Sequence, residues 1–339
     1  MKAVRIVKPF NVECIEAEKP APKSGEALLK IEAAGICGSD IGAFRGTNNL
    51  VSYPRIIGHE LAGVVVSIPE DNPKGLKPGD KVVVEPYVYC GHCYPCGLGR
   101  TNCCTDMHTL GVHIDGGMCE YFCHPAHMLV KMPEGMTFEQ GAMAEPLTIS
   151  IHGLHRGALK AGEYCAIIGA GPIGLGAAMA AQAYGAHAIL IDIVQERLDF
   201  AKNTAGIEYV INSANEDATA KIAEITNGDM AQLVMECSGA NQAIRATLDY
   251  ASNAGRVVFT GWPKKETSLP TDMITKKELD VRGGRNSVGE FEEALDLIHS
   301  GRVDMLKMLT KTISAEEAPS AIIDIEKNPG DYMKVIVKF

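Results

Sequence analysis

The chain has 339 residues, enough for two domains of ordinary size, and its 46% hydrophobic and 22% charged residues are typical of a globular protein with a buried core. The formal net charge of −10 gives no overall attraction to nucleic acid or to an anionic membrane. No apolar run reaches membrane-spanning length and "MKAVRIVKPF" is unlike a signal peptide, so we expect the 11 cysteines in a reducing cytoplasm, as thiols or metal ligands.

The first part of the sequence predicts short strands separated by glycine and proline. These strands are "ALLKIEAAGI", "LAGVVVSI", "DKVVVEP" and "CEYFCHP". Turn residues at such short intervals are typical of an antiparallel, barrel-like β-domain.

From about Gly141 onward, strands and helices alternate. The helix "TISIHGLHRGAL" is followed by the strands "EYCAIIGA", "HAILIDI", "LVMECSG" and "GRVVFTG", with helical segments between them. This alternation predicts a parallel sheet covered by helices on both faces. It fades after about Gly283, leaving the helix "VGEFEEALDLIHS" and a last strand, "YMKVIVKF". We therefore predict a β-rich domain formed by residues 1–147 and 288–339, with a doubly wound domain, residues 148–287, inserted into it.

Five cysteines occur in the short segment "YCGHCYPCGLGRTNCC". Cys90, Cys93, Cys96 and Cys104 follow the pattern C-x2-C-x2-C-x7-C, and Cys103 is left over. Four thiolates at this spacing can surround one Zn²⁺, which would be structural because sulfur fills every coordination position. An iron–sulfur cluster is the main alternative, but the bacterial ferredoxin motif has its next cysteine three residues on, followed by proline. Unliganded thiols or disulfides are the third possibility.

A glycine-rich motif marks the start of the doubly wound domain. Gly169, Gly171 and Gly174 form G-x-G-x-x-G, with Pro172 and Ile173 inside it, directly after the apolar strand "YCAIIG". In this context the first glycine makes the turn, the second admits a pyrophosphate, and the third lets helix and strand pack closely. The motif predicts a dinucleotide site.

The strand after this motif ends at Asp192. An acid at this position accepts hydrogen bonds from the adenosine ribose and repels a 2′-phosphate, so NAD is favoured over NADP. The structural alternative is that Asp192 caps the helix "IVQERLDF". Arg197, one helical turn further on, would favour NADP, but we expect the acid to dominate.

Polar residues in three separate segments form a candidate catalytic group: Cys37, Ser39, His59, Glu60 and Glu145. Each has an ordinary structural explanation, as a small buried cysteine, a turn at a strand start or the entrance to a helix. Together they offer sulfur, imidazole and carboxylate ligands that leave one coordination position for substrate, as a catalytic zinc requires.

At this point the sequence resembles the zinc-dependent medium-chain alcohol and polyol dehydrogenases. "GICGSD", "GHELAG", the four-cysteine loop, "AEPL" and "GAGPIGL" occur in the family's order and at its spacings, over nearly the whole chain. The resemblance implies a GroES-like catalytic domain with a Rossmann NAD-binding domain. It also implies two zinc ions per chain, one structural and one catalytic.

The resemblance assigns roles to the catalytic group. It implies that Cys37, His59 and a carboxylate from Glu60 or Glu145 hold the catalytic zinc. Ser39 matches the hydroxyl that begins the family's proton relay. A neighbouring residue, Asp40, matches the acid that orients the zinc-bound histidine.

A narrower resemblance concerns the substrate. "SYPRIIGHE", "GRTNCC", "LGVHIDGG" and "GGRNSVGEF" are similar to the bacterial L-galactonate and L-gulonate 5-dehydrogenases, which oxidise a secondary hydroxyl of a six-carbon sugar acid. This implies that Arg45 and Arg285 face the substrate, whereas Asn286 departs from the tyrosine usual in sorbitol enzymes. The alternative for both arginines is an ordinary exposed or interdomain charge.

We therefore predict an oxidoreductase that transfers hydride from a secondary alcohol of a sugar acid to NAD⁺, with Ser39 accepting the hydroxyl proton. The enzymatic alternative is a dehydrogenase of a neutral polyol or small secondary alcohol, of the sorbitol, butanediol or threonine type. The non-enzymatic alternative is a zinc-stabilised NAD-binding structural protein. The resemblance suggests a homodimer or homotetramer, and no nucleic-acid or membrane partner is expected.

Overall fold

The structure is a computed structural model that describes residues 1–263 and 265–339. By its internal contacts the chain divides into two compact units. The first unit consists of Met1–Glu145, Phe291–His299 and Met308–Phe339, and the second of Pro146–Glu290 and Ser300–Lys307. The domain boundaries inferred from the sequence, after residue 147 and before residue 288, stay a prediction.

The strands, in chain order, are β1 (Lys2–Lys8), β2 (Asn11–Glu16), β3 (Glu26–Ile36), β4 (Arg55–Ile56), β5 (Glu60–Ser67), β6 (Lys81–Val84), β7 (Tyr87–Val88), β8 (His108–Thr109), β9 (Tyr121–Pro125), β10 (Leu129–Lys131), β11 (Tyr164–Ile168), β12 (His187–Asp192), β13 (Tyr209–Asn212), β14 (Ala231–Glu236), β15 (Ala251–Phe259), β16 (Asp280–Gly283), β17 (Leu309–Ser314) and β18 (Lys334–Lys338). The α-helices are α1 (Gly38–Arg45), α2 (Tyr94–Gly97), α3 (Phe138–Ala142), α4 (Ala144–Arg156), α5 (Pro172–Ala183), α6 (Gln195–Phe200), α7 (Ala218–Ile225), α8 (Asn241–Tyr250), α9 (Thr271–Lys277), α10 (Phe291–His299) and α11 (Ala318–Lys327). Short 3₁₀ turns cover Thr101–Cys103, Ala126–Met128 and Met305–Met308, and a π-helical turn covers Ala201–Ala205. Within the described residues, no helix has the length and apolar character needed to cross a membrane.

The first unit is built around a seven-stranded sheet. Its strand order is β10-β6-β5-β3-β18-β17, and β9 pairs with β3 off this path. Both β5 and β18 run antiparallel to β3. Most of β3 is buried, which its nearly continuous apolar sequence "EALLKIEAAGI" favours.

The register of this sheet brings distant parts of the chain together. Gly35 of β3 pairs with Glu60 of β5, and Ile36 pairs with Val335 of β18. The end of β3 and the starts of β5 and β18 therefore meet at one edge of the sheet. A smaller sheet has the order β2-β1-β4, and β7 pairs with β8 to close the base of the four-cysteine loop.

The second unit contains a six-stranded sheet of order β13-β12-β11-β14-β15-β16, in which every pairing is parallel. Its core is aliphatic, because strands covered on both faces must be apolar throughout. The strand order reverses at β11, which has β12 on one side and β14 on the other. The predicted architecture, a β-rich domain with a doubly wound parallel sheet, is confirmed.

Candidate functional site

The four cysteines of the C-x2-C-x2-C-x7-C pattern come together between β7 and β8. The sulfur atoms of Cys90, Cys93, Cys96 and Cys104 all lie within 4.8 Å of one another. The Cys93 sulfur is 3.4 Å from that of Cys96 and 3.8 Å from that of Cys104. Sulfur atoms bound tetrahedrally to one zinc ion at about 2.3 Å are separated by about 3.8 Å, so this group fits a zinc ion.

The backbone of this loop is arranged to receive thiolates. The amides of Cys90 and Asp106 each lie 3.3 Å from the Cys104 sulfur. Hydrogen bonds from the backbone at Thr105 lower the pKa of Cys93 to about 5. Burial and the hydrogen bond with Cys93 raise the pKa of Cys96 to about 12, so one sulfur of the pair carries a proton that a metal ion would displace.

A second group of potential metal ligands lies where β3, β5 and β18 meet. The Cys37 sulfur, a ring nitrogen of His59 and a carboxylate oxygen of Glu60 are within 4.8 Å of one another. Cys37 directly precedes α1 and His59 directly precedes β5, so a regular element fixes each of them. The Ser39 hydroxyl, in the first turn of α1, is 3.4 Å from Nε2 of His59.

Glu145, in the first turn of α4, belongs to the same electrostatic cluster. It is 2% exposed, and the Tyr87 hydroxyl donates a hydrogen bond to its Oε1 atom. Burial raises the pKa of Glu145 to about 7, while the charges of His59 and Glu60 also act on it.

Glu60 has a buried counter-ion. Nζ of Lys334 lies 2.6 Å and 2.8 Å from its two carboxylate oxygens, and the two side chains are 3% and 1% exposed. A Cβ atom at Gly35 would collide with the Glu60 carboxylate, so only glycine at this position leaves room for it. Although burial acts to lower it, the charges of Glu60 and Cys37 raise the pKa of Lys334.

One oxygen of Asp40 and one ring nitrogen of His59 are buried beside the Glu60–Lys334 pair. Asp40 accepts a hydrogen bond from the Cys37 amide at 2.9 Å. In the part of the chain that the structure describes, Oδ1 of Asp40 and Nδ1 of His59 are buried without a hydrogen-bond partner. Burial acts to lower the pKa of His59, but Cys37, Asp40 and Glu145 together raise it well above its usual value.

Among the described residues, acidic groups outnumber basic groups at this position. One thiol and three buried carboxyl groups lie around two basic side chains: Cys37, Asp40, Glu60 and Glu145 around His59 and Lys334. Buried charges are stable only when they are paired or when they coordinate a metal. A divalent cation would compensate this excess, so the residues present fit a catalytic zinc ion.

The glycine-rich loop of the second unit joins β11 to α5. Gly169 has φ of +104°, and its amide donates a 2.7 Å hydrogen bond to the Ile191 carbonyl. A Cβ atom at Gly174 would collide with the Gly169 carbonyl oxygen, whereas one at Gly171 would meet nothing within 4 Å. Pro172 begins α5, so the open Gly171 lies directly before the helix N-terminus, which is where a phosphate binds.

Asp192 ends β12 and is 9% exposed. Its Oδ2 atom accepts a 2.6 Å hydrogen bond from the Ala170 amide, and its Oδ1 atom accepts from Ile193 and Val194 at 2.7 Å and 2.9 Å. The N-cap of α6 is Val194, so Asp192 does not cap that helix. It ties the glycine-rich loop to the end of β12. Arg197 lies within α6.

The two candidate substrate arginines have different surroundings in the structure. Arg45, at the end of α1, donates a hydrogen bond to Glu326 of α11 and forms an ion pair with it. Arg285 is exposed on the segment after β16. The next residue, Asn286, has φ of +50°, a conformation that asparagine tolerates better than most residues. The Ser287 hydroxyl accepts a 2.9 Å hydrogen bond from the Thr148 hydroxyl. The predicted substrate contact of Arg45 therefore competes with an intramolecular partner.

Two residues of the site were not identified from the sequence, Lys334 and Tyr87. The sequence contains a signal for Lys334, because a lysine in the apolar last strand "YMKVIVKF" requires a buried partner. No sequence signal singles out Tyr87, because tyrosine is common in strands.

Two family models match the chain. The alcohol dehydrogenase GroES-like domain matches residues 23–134, and the zinc-binding dehydrogenase model matches residues 172–300. Known relatives cover the chain nearly end to end. An uncharacterized zinc-type alcohol dehydrogenase-like protein of Haemophilus influenzae is 52% identical over 339 residues, which is 100% of this chain and 99% of the relative.

The L-galactonate-5-dehydrogenase of Escherichia coli K12 is 38% identical over 304 residues, which is 89% of this chain and 88% of that protein. Among solved structures, the short chain alcohol dehydrogenase rspB of Escherichia coli CFT073, complexed with NADH, is 34% identical with a TM-score of 0.93. That similarity covers 100% of this chain and 99% of the other.

Proposed function

Because the chain belongs to the zinc-binding alcohol dehydrogenase family, we propose that it oxidises a secondary hydroxyl of a six-carbon sugar acid, using NAD⁺ and a catalytic zinc ion. The observation that carries the chemistry is the group of half-buried Cys37 with the buried side chains of His59, Glu60 and Glu145 in the first unit. A second zinc ion, at the four cysteines, would be structural.

The two glutamates differ in their surroundings, and this supports distinct roles. Both oxygens of Glu60 contact Lys334, so its charge is largely compensated. Glu145 instead accepts a hydrogen bond from the neutral Tyr87 hydroxyl. The Glu60 carboxylate, and not that of Glu145, lies within 4.8 Å of both the Cys37 sulfur and the His59 ring. Because Lys334 already compensates the charge of Glu60, we nevertheless assign Glu145 as the direct ligand, together with Cys37 and His59, and Glu60 as a neighbouring acid that stays paired with Lys334.

The proposed reaction removes a proton and a hydride from one carbinol group. A zinc ion bound at this site would lower the pKa of the substrate hydroxyl, so that its proton leaves near neutral pH. Ser39, 3.4 Å from Nε2 of His59, accepts that proton and releases its own toward solvent. A bound NAD⁺ would accept the hydride of the same carbon, which would leave a ketone and NADH. Tyr87 and Asp40 hold Glu145 and the Cys37 turn in position.

The proposed cofactor is NAD rather than NADP, and Asp192 supports this choice. Three backbone amides fix its carboxylate at the end of β12. A carboxylate in this place can accept hydrogen bonds from ribose hydroxyls, but it repels a 2′-phosphate.

The proposed substrate class rests on the 38% identical L-galactonate-5-dehydrogenase and on an arginine for the substrate carboxylate. An arginine fork suits a carboxylate because it offers two parallel hydrogen bonds. Arg285 is assigned this role because it is exposed on the segment after β16. The ion pair between Arg45 and Glu326 favours the second candidate substrate, a neutral polyol. It occupies one of the two arginines that could otherwise bind the carboxylate of a sugar acid.

Kinetics with matched pairs of substrates test the proposal. NAD⁺ reduction is measured with L-galactonate against galactitol and with L-gulonate against sorbitol, because each pair differs only at the carboxylate carbon. We expect kcat/KM to be at least about tenfold higher for the acids, and Arg285→Ala to lower it roughly ten- to a hundredfold for the acids alone. Arg282→Ala is the matched control, since Arg282 pairs with Asp280 on the same strand.

Equal or better turnover of the alditols would contradict the sugar-acid proposal and support the polyol. An Arg285→Ala variant that keeps the preference for acids would remove Arg285 from the substrate site. The oligomeric state and the cytoplasmic location stay predictions based on the family resemblance.

A further inference from the structure

A buried glutamate lies at the carboxyl end of β14, beside the glycine-rich loop. Glu236 is 0% exposed, and its strand pairs with β11. Its Oε1 atom accepts hydrogen bonds from the amides of Ser238 and Gly239, at 2.8 Å and 3.0 Å, and from the Ser238 hydroxyl. These donors are all neutral, in contrast to the lysine that pairs with Glu60.

Glu236 and its hydrogen-bond partner Ser238 together contact three loops at this edge of the sheet. Ser238 lies 3.2 Å from the position that a Cβ atom of Gly169 would take, so the loop after β14 packs directly on the glycine-rich loop. The amides of Thr260 and Gly261, after β15, both donate 2.9 Å hydrogen bonds to the Glu236 carbonyl. A Cβ atom at Gly261 would collide with the Glu236 carboxylate, which therefore touches the third loop as well.

The strand order indicates which half of a dinucleotide lies over this edge. The pyrophosphate belongs at the start of α5, after β11, and the adenosine ribose belongs at Asp192, on β12. Because β14 and β15 lie on the opposite side of β11, the nicotinamide half of a bound dinucleotide would extend over them. This step rests on the proposed function, namely that the second unit binds NAD.

We propose that Glu236 is a positioning residue for the nicotinamide half and that its charge favours the cationic ring of NAD⁺ over the neutral ring of NADH. The two cofactor forms differ by one charge, located on that ring. A unit charge that acts over about 10 Å at an effective dielectric of about 20 changes an equilibrium roughly tenfold. Weaker relative binding of NADH favours release of the reduced cofactor after hydride transfer.

The test compares the dissociation constants of NAD⁺ and NADH, measured by titration of the zinc-loaded protein. Burial raises the pKa of Glu236 against the effect of its hydrogen bonds, so the titrations are made at pH 8, well above the ordinary pKa of a glutamate. Glu236→Gln keeps the size of the side chain and removes the charge. We expect it to weaken NAD⁺ binding relative to NADH binding by roughly tenfold.

Ser238→Ala is the matched control. It removes one hydrogen bond to Glu236 but keeps the charge, so a purely structural loosening should weaken both cofactor forms alike and leave their ratio unchanged. Glu236→Asp should keep the wild-type ratio. If Glu236→Gln does not fold, Glu236→Ala in the same titration takes its place.

An unchanged ratio in the folded, uncharged variant would overturn this inference alone. A change in ratio of equal size in Ser238→Ala would overturn it too. If the wild-type protein bound neither nucleotide, the proposed function would fail instead.

Discussion

Replacement of Lys334 by methionine tests the ion pair beside the candidate catalytic zinc site. Nζ of Lys334 is 2.6 Å and 2.8 Å from the oxygens of Glu60, and the side chains are 3% and 1% exposed. Methionine has a similar volume but no charge, so Glu60 would be left as a buried carboxylate without its counter-ion. Loss of one partner of a buried pair costs about 3–5 kcal/mol, against about 0–1 kcal/mol for an exposed pair. We expect the free energy of unfolding to fall by about 3–5 kcal/mol.

Urea unfolding of the zinc-loaded protein, followed by circular dichroism, measures this loss. Circular dichroism reports on both units, whereas the one tryptophan, Trp262, lies in the second unit. Lys131→Met is the matched control, because Lys131 is 63% exposed in its 2.7 Å pair with Asp80 and should lose no more than about 1 kcal/mol. The double variant Glu60→Gln/Lys334→Met removes both buried charges and should recover most of the loss.

A loss of less than about 1 kcal/mol in Lys334→Met would refute the reasoning, because an uncompensated buried carboxylate cannot be that inexpensive. A double variant as unstable as Lys334→Met would refute it in another way. The loss would then come from packing of the lysine stem and not from the charge on Glu60.

Three further predictions concern the other sites. Cys93→Ser should lose one zinc ion per chain and lower the Tm, because the binding energy of a structural metal is part of the folding energy; full metal content with an unchanged Tm would contradict this. Asp192→Ala should raise KM for NAD⁺ and narrow the preference over NADP⁺, and a wild-type kcat/KM that is higher for NADP⁺ would refute the NAD assignment. For Glu290, burial acts to raise the pKa, but hydrogen bonds from His152 and His155 lower it from 4.5 to about 2. The stabilisation that ionised Glu290 gives to the folded state is therefore complete above about pH 4.5 and is lost as the pH falls through about 2. Between pH 6 and pH 3, the Tm of Glu290→Gln should therefore fall less than the Tm of the wild type. An equal fall in Tm would contradict this.

Much of the fold could be predicted because its signals are local. The apolar strand "YCAIIG", the glycine motif and the following helix occupy one continuous segment, and alternation of strands and helices specifies a parallel sheet. The four-cysteine loop is also local, so spacing alone indicated that its sulfur atoms meet.

The features of the site that could not be predicted depend on contacts between residues that are far apart in the sequence. Lys334 and Glu60 are separated by 274 positions, and only the register of β18, β3 and β5 brings them together. The ion pair between Arg45 and Glu326 spans 281 positions, so no local pattern could indicate this competing partner of Arg45. Charge and hydropathy patterns do not specify which of several acids a given base will meet.

The zinc content of the wild-type protein and of His59→Ala tests the central claim most directly. Metal analysis by mass spectrometry, with circular dichroism to verify folding, should give two zinc ions per chain in the wild type. His59→Ala should keep one, at the four cysteines, and should lose NAD⁺ reduction because the reacting hydroxyl has lost its Lewis acid. One zinc ion in the wild type, or two zinc ions with substantial turnover in folded His59→Ala, would contradict a catalytic zinc at Cys37, His59 and Glu145.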